Sequence, residues 1–278
     1  MTSDITEQLD GATIQHGPLS NRIYVMHPGD ADAHLLPEKL EHLAEKNGYT
    51  KIIAKIPESS ASAFLKKGYR TEAEIPGFFK GKETALFLGL YLDPERGKTD
   101  DREEIEKIIG LTRRFVQKKK TAGTERFRFF TCHPENAERM SLLYKAVFPT
   151  YPFPIDNPEY LRQTMLAHVA YFGVECNGEL IALASSEMEL DEKNVEMTDF
   201  ATLPSWRGHG LAAMLLQSME STMREKGFKT AYTIARALSP GMNITFARAG
   251  YGFCGTLINN TNISGGIESM NVWYKRID

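Results

Sequence analysis

Two glycines, in Arg207-Gly208-His209-Gly210-Leu211-Ala212, carry the strongest chemical signal in this chain. Their surroundings give them meaning. An apolar run at 195–203, closed by Pro204, precedes them. Leu211, Leu215, Met219 and Met223 then recur every four residues until Gly227, which is one face of a helix and its stop. A strand therefore runs through a glycine turn into a helix. Such a junction aims unpaired backbone N–H groups and the positive end of the helix dipole at one spot, which favours an anion such as a pyrophosphate. Side chains at Gly208 or Gly210 would block a ligand's close approach. The plain alternative is a helix start whose glycines serve packing. A P-loop needs a Lys-Ser/Thr ending and a dinucleotide fingerprint needs G-x-G-x-x-G; neither is present.

The scaffold for this loop must come from 278 residues, enough for one large or two small domains with a proper core. Charged residues make up 25% and the net charge is −3, so no polyanionic partner is indicated. Arg113, Arg114, Lys118, Lys119 and Lys120 form the one basic cluster, read as a solvated face of a linker helix rather than a nucleic-acid site. No apolar run reaches the ~20 residues of a membrane helix, and the polar N-terminus has no signal-peptide pattern. Cys132, Cys176 and Cys254 are widely spaced and odd in number, which suits a reducing cytoplasm. No C-x-x-C or H-x-x-x-H occurs, so no metal site is expected. No nucleic-acid or membrane partner is expected; assembly as a homodimer is admitted.

A charged segment at 93–124, with a helix expected over 102–118, divides the chain. The expected organisation is an N-terminal half at 1–95, a linker at 96–124 and a second domain at 125–278. The second part reads as a strand at 127–131, helices at 136–148 and from Pro158, and strands at 170–176 and 179–187 around the hairpin signal Asn177-Gly178. The loop strand and loop helix follow, then a strand at 230–235, a helix at 242–249, and strands near 253–258 and 269–275. The first half contains an echo. Strand 51–55 followed by Phe64-x-x-x-Gly68-Tyr69 parallels strand 232–236 followed by Phe246-x-x-x-Gly250-Tyr251, which suggests a partial repeat. It has no counterpart of 207–212, so anion binding is not expected there; its expected role is to cover the sheet or shape the pocket beside the loop.

R-x-x-G-x-G/A between a strand and a helix resembles the acetyl-coenzyme A loop of the GNAT N-acetyltransferases, and the element order of 126–278 is similar to theirs. The resemblance implies an α/β (α+β) fold, with a central mixed, splayed sheet flanked by helices, plus a smaller N-terminal α/β domain like a partial GNAT half. It also implies acetyl-coenzyme A as cosubstrate, held by Phe200, Ala201, Thr202 and Leu203 on the strand and by Arg207, Gly208, His209, Gly210, Leu211 and Ala212 in the loop. Acetyl transfer to an amine needs a proton removed, because an amine of pKa ~10.4 is almost fully charged at pH 7, a cost of about 4.6 kcal/mol if only the free form reacts. A carboxylate can take that proton. Glu196, eleven residues before Arg207, matches the position of the family's glutamate base, and Asp199 is second. Three residues apart on a strand, the two should face opposite ways, and a strand carboxylate that only faces solvent or pairs with a lysine is the plain alternative. The family's usual tyrosine acid is replaced by Phe246, so Tyr251 or Tyr232 substitutes or the thiolate leaves unaided. Asn243 either bonds the cofactor or caps its helix.

Segments at 72–79, 147–155, 196–202, 239–243, 255–261 and 268–275 resemble one GNAT subgroup, whose members acetylate the terminal amine of beta-lysine (3,6-diaminohexanoate) to make a compatible solute. The likeness spans nearly the whole chain. Tyr151, Asp156, Tyr160, Asn259, Asn260, Glu268 and Asn271 are the candidate acceptor contacts, against packed-loop and turn roles for the same residues. Arg236 and Arg248 are weak candidates for holding the carboxylate. Another small amine as acceptor (lysine or a polyamine), or a non-catalytic acetyl-coenzyme A sensor, are the alternatives.

Overall fold

The computed structural model describes residues 4–113 and 126–278. Its first half contains β1 (Ile5–Leu9), β2 (Ala12–Gly17), β3 (Arg22–His27), α1 (Leu36–Asn47), β4 (Lys51–Pro57), α2 (Ala61–Lys66), β5 (Arg70–Phe79) and β6 (Glu83–Tyr91), followed by α3 (Arg102–Thr112). The second contains β7 (Arg128–Thr131), α4 (Ala137–Val147), α5 (Pro158–Ala167), β8 (Val169–Cys176), β9 (Glu179–Glu189), β10 (Asn194–Thr202), α6 (Leu211–Glu225), β11 (Thr230–Arg236), α7 (Pro240–Arg248), β12 (Gly252–Ile263) and β13 (Gly266–Arg276). Local chemistry explains the boundaries. Asn157 caps α5 by accepting from the Glu159 amide at 2.9 Å, with Pro158 as first helical residue. Asn177 and Gly178 both take positive φ, as a two-residue hairpin turn requires. The helix expected over 102–118 is α3; the remainder of that range, with Arg114, Lys118, Lys119 and Lys120, lies outside the described residues. Among the described residues no helix is long and apolar enough to cross a membrane.

All thirteen strands share one mixed sheet, in the order β1-β2-β3-β4-β6-β5-β12-β13-β11-β10-β9-β8-β7. Outward from β5 and β12, both halves present the same succession: a hairpin, then a strand lying parallel to the next, β4 on β3 and β11 on β10. The halves meet through one paired position, Gly255 opposite Ala73. A Cβ at Gly255 would lie 2.1 Å from the Glu72 carbonyl oxygen, so only glycine lets the two backbones come this close.

A shared core lies under this seam. Ile53, Ile75, Phe78 and Phe87 from the first half pack with Tyr232, Leu257 and Val272 from the second. Each fully buried side chain of this size contributes about 1.5–3 kcal/mol. Polar ties reinforce it: Lys51 Nζ donates to Glu72 at 2.8 Å and to the Ile258 carbonyl at 2.7 Å, and Arg96 Nε donates to the Asn259 carbonyl at 2.7 Å. The long β12–β13 hairpin reaches the α4–α5 loop, where the Ser264 amide donates to the Thr150 carbonyl. The continuous sheet brings residues of the first half, Arg22, Tyr24 and Lys55 among them, into one cavity with the glycine loop.

Candidate active site

The glycine loop opens onto a cavity of about 880 Å³, lined in part by Arg207, Gly208, Gly210, Leu211 and Ala212. Gly210 precedes α6 with φ 75° and makes no side-chain cap. The first intrahelical bond runs from the Met214 amide to the Gly210 carbonyl, so the amides before it have no intrahelical acceptor. Gly208 has φ 82°, and no atom lies within 4 Å of a Cβ built on either glycine. The space these residues leave is open to a ligand, not filled by packing. The equivalent junction of the first half, between β3 and α1, differs. A Cβ on its Gly29 would meet the Gly11 carbonyl oxygen at 2.0 Å, and the connection carries two carboxylates, Asp30 and Asp32.

Beside the loop the sheet parts. β10 pairs with β11 only from Asn194 to Glu196, although both strands continue, so the rest of this edge of β10 has no partner in β11. On its other edge β10 pairs Thr198 with Ser185 and Ala201 with Leu183, which places one extra residue in β10. Such a bulge redirects side chains. Asp199 sits in it with φ 54°, an uncommon conformation for a residue other than glycine. The bulge overturns the alternation expected for the two carboxylates: Glu196 and Asp199 both line the cavity. Their surroundings differ. Asp199 accepts from Tyr151 Oη and Ser185 Oγ, each at 2.5 Å. The Tyr232 hydroxyl acts on Glu196 to favour its ionised form and itself accepts from Lys55 Nζ at 3.1 Å.

Burial, with the Glu187 charge adding to it, raises the Glu196 carboxyl to about 7 against the pull of Lys55 and Tyr232. It is thus poised between proton donor and acceptor near neutrality. Burial also raises Asp199, and the Ser185 and Tyr151 hydroxyls oppose it. Glu187 behaves otherwise. Burial pulls it up, but the His168 hydrogen bond and the charges of His168, Lys55 and His27 together hold it below its usual value. His27 Nε2 lies 3.1 Å from Glu189, yet burial and Lys55 push that imidazole down to about 4. The ring is therefore neutral at pH 7, and this close approach is not an ion pair. Glu187, Glu189 and Glu196 thus gather around the buried Lys55 ammonium, with Asp199 near Glu187 and Glu196.

An open helix N-terminus, a strand edge freed by splaying and a carboxyl poised near neutrality now stand around one cavity. Residues 135–251 match the Acetyltransferase (GNAT) family. The beta-lysine N(6)-acetyltransferase of Methanococcus maripaludis is 37% identical over 268 residues, 96% of this chain and 97% of its own. The chain belongs to the GNAT acetyltransferases, in the family of the beta-lysine N(6)-acetyltransferases. A second such relative, from Methanosarcina mazei, is 32% identical over 86% of this chain and 95% of its own. The N-acetyltransferase YodP of Bacillus subtilis is 32% identical over 96% of both chains. The α+β GNAT fold expected for the second half is the one observed.

Several residues expected at a GNAT site line the cavity: Phe200, Thr202 and Phe246 beside the loop, and Tyr151, Tyr160 and Asn260 on the acceptor side. Others are turned to structural tasks. Ala201 is fully buried in the α4–α5 core, and the Leu203 amide donates to the Ile181 carbonyl. His209 packs against Trp206 and Phe127 and donates from Nδ1 to the Trp206 carbonyl; it shapes the loop from behind. Asn243 neither faces the cavity nor caps α7. Its Nδ2 donates to the Arg236 and Ser239 carbonyls, and its Oδ1 accepts from Asn271 Nδ2 and Trp273 Nε1. Those bonds also account for Asn271, and Asn259 is tied to the carbonyls of Arg96 and Lys98.

Asp156 is exposed on the α4–α5 loop, away from the cavity. Glu268 holds Arg236 through two bonds of 2.8 and 2.6 Å, so the Arg236 guanidinium, which does line the cavity, already has its carboxylate. Tyr251 is also displaced: buried on the far side of Phe246, with the Lys275 ammonium 5.6 Å from its ring centre, it does not line the cavity. Tyr232 does. Lys55, Tyr24, Glu187 and Glu189 were not anticipated. Only Lys55 left a signal, a charge inside the apolar strand Ile52-Ile53-Ala54-Lys55-Ile56, where lysine is seldom buried without a task.

Proposed function

We propose that this protein transfers the acetyl group of acetyl-coenzyme A to the terminal amine of beta-lysine (3,6-diaminohexanoate), with Glu196 as the base. The observation that carries the reading is the position of Glu196, at the last paired residue before the sheet parts, in one cavity with the open N-terminus of α6. The first amides of α6 and the turns at Gly208 and Gly210 would cradle the pyrophosphate. The freed edge of β10 beyond Glu196 would pair with the pantetheine arm, with Phe200, Thr202 and Phe246 along it. Residues 1–95 are read as a half that closes the acceptor end without a phosphate loop of its own, joined through 96–124 to the transferase part at 125–278.

The chemistry follows from the carboxyl groups. The acidic end of the cavity favours entry of an ammonium, and Glu196 takes its proton, directly or through a water. The neutral nitrogen then attacks the thioester carbon; the C–N bond forms as the C–S bond breaks, and the second proton that the nitrogen sheds balances the one that the departing thiolate takes up. The family's tyrosine acid is absent because its place holds Phe246. Tyr232 is the hydroxyl best placed to return a proton to the departing thiolate, since it lines the cavity with Glu196 and accepts from Lys55 Nζ. Asp199 holds Tyr151 and Ser185 and serves as a positioning group.

The likeness of nearly the full chain to two beta-lysine N(6)-acetyltransferases supports the acceptor. The test is thiol release from acetyl-coenzyme A with beta-lysine, alpha-lysine, spermidine and a lysine peptide. Preference for beta-lysine is expected. Turnover with another member alone would replace the acceptor, and cofactor binding without turnover on any would remove the transferase reading.

A further inference from the structure

The far wall of the cavity is β3, whose alternate residues Arg22, Tyr24 and Met26 all line it. Arg22 is 4% exposed. Its Nη1 donates to Thr261 Oγ1 at 3.0 Å and its Nη2 to Gln15 Oε1 at 3.4 Å, while Nε is buried with no acceptor. Among the described residues no carboxylate stands within ion-pair distance of this guanidinium. The two whose charges reach it are engaged elsewhere. Asp4 accepts from the Leu19 and Ser20 amides, and Glu72 accepts from Lys51 and Tyr91. Arg96 adds a second positive charge nearby. Burial lowers the Arg22 guanidinium to about 10, so it remains a cation at neutral pH. A buried cation without a counter-ion is rare in a folded protein, and this one faces a ligand cavity.

Its neighbours add detail. Thr261 Oγ1 accepts from Arg22 and also from Asn260 Nδ2 at 3.2 Å, which leaves its own hydroxyl proton for another acceptor. Asn260 lines the cavity, and its Oδ1 is buried with no donor. A cation, a hydroxyl donor and an empty carbonyl acceptor thus stand side by side. An amino acid whose carboxylate and inner ammonium are one methylene apart offers the complementary groups.

We propose that Arg22, with Thr261, holds the acceptor's carboxylate and that Asn260 Oδ1 accepts from its inner ammonium. This assignment rests on the beta-lysine reading above and gives the N-terminal half a substrate-binding role. An extended chain of C–C bonds of about 1.5 Å carries the terminal nitrogen roughly 7 Å from the carboxylate carbon. Alternate residues of a strand stand about 6.6 Å apart. Tyr24, one such step along β3 from Arg22, feels the charges of both Glu196 and Arg22.

The experiment compares beta-lysine with 1,4-diaminopentane, the same molecule without its carboxylate, as acceptors for the full-length enzyme. Wild type should prefer beta-lysine. Arg22→Gln should lower kcat/KM for beta-lysine about 100-fold, mostly through KM, as expected when one partner of a buried charge pair is truncated. The ratio between the two acceptors should collapse toward one, while the KM for acetyl-coenzyme A stays at its wild-type value. Arg22→Lys should restore part of the ratio, and Thr261→Val should lower it more mildly. Coenzyme A binding by each variant reports that the fold is kept. Retention of selectivity by Arg22→Gln, or an equal loss on both acceptors, overturns the carboxylate seat and leaves the transferase reading standing. A wild type that acetylates both equally also overturns the seat alone; one that acetylates neither overturns the acceptor reading and the seat with it.

Discussion

Replacing Glu196 with glutamine should make the enzyme slower and, above neutral pH, more stable. In the folded protein this carboxyl is raised to about 7 from an ordinary 4.5. Because the folded value lies above the unfolded one, the native state holds the proton between these limits while the unfolded chain has lost it. Stability from this group is therefore complete below pH 4.5 and is lost as pH rises through 7. A shift of 2.5 units, at 1.36 kcal/mol each, means that the ionised carboxyl costs up to about 3 kcal/mol at pH 8. Glu196→Gln removes that cost and leaves Lys55 facing Glu187 and Glu189. It also removes the base. Turnover at pH 7 should fall by a factor of about 10²–10⁴, and the variant should regain about tenfold per pH unit as more free amine becomes available below its pKa of ~10.4. Thiol-release kinetics across pH, with denaturant unfolding of both proteins at matched pH, test the two halves together. Full activity of the variant at pH 7, or a variant less stable than wild type at pH 8, would refute the reasoning.

Other perturbations probe separate parts. Gly208→Glu places a like charge in the anion site and a side chain at φ 82°; coenzyme A affinity by calorimetry should drop at least about tenfold, with about 1–2 kcal/mol of backbone strain. Unchanged affinity would mean that the pyrophosphate lies elsewhere. Tyr232→Phe should lower kcat, whereas Tyr251→Phe should not, because only the first hydroxyl reaches the cavity; the opposite pattern in steady-state assays would return the acid role to Tyr251. Glu72→Gln leaves the Lys51 ammonium, fully buried, without its counter-charge and should cost about 3–5 kcal/mol in urea unfolding. A loss of a few tenths would show that the seam between the halves does not depend on this pair.

What could be read along the chain was what neighbouring residues decide among themselves. The strand–glycine–helix junction, the Asn177-Gly178 turn and the Asn157-Pro158 helix start are local backbone chemistry, and all three stand in the structure where the residues indicated. Glu196 could be placed because its distance from Arg207 is set by one strand and one turn. That Asp199 shares its cavity could not be read, because a single inserted residue at the bulge reverses the alternation that sequence spacing assumes. Asn243, Asn259 and Asn271 have the polarity of ligand-binding residues. Buried amides must be satisfied wherever they lie, however, and tertiary packing assigned these three to backbone carbonyls and to one another.

The composition of the second half of the cavity belonged wholly to the tertiary structure. Lys55 and Arg22 lie 141 and 174 residues before Glu196, and no spacing rule links them to it. They share a cavity because Gly255 lets β12 meet β5 and continue one sheet through both halves. Sequence by itself determined a loop suited to an anion and a carboxylate at a set distance from it, since both depend on short-range geometry. Only the folded sheet decided which charges face that carboxylate, because burial and long-range pairing set its proton affinity.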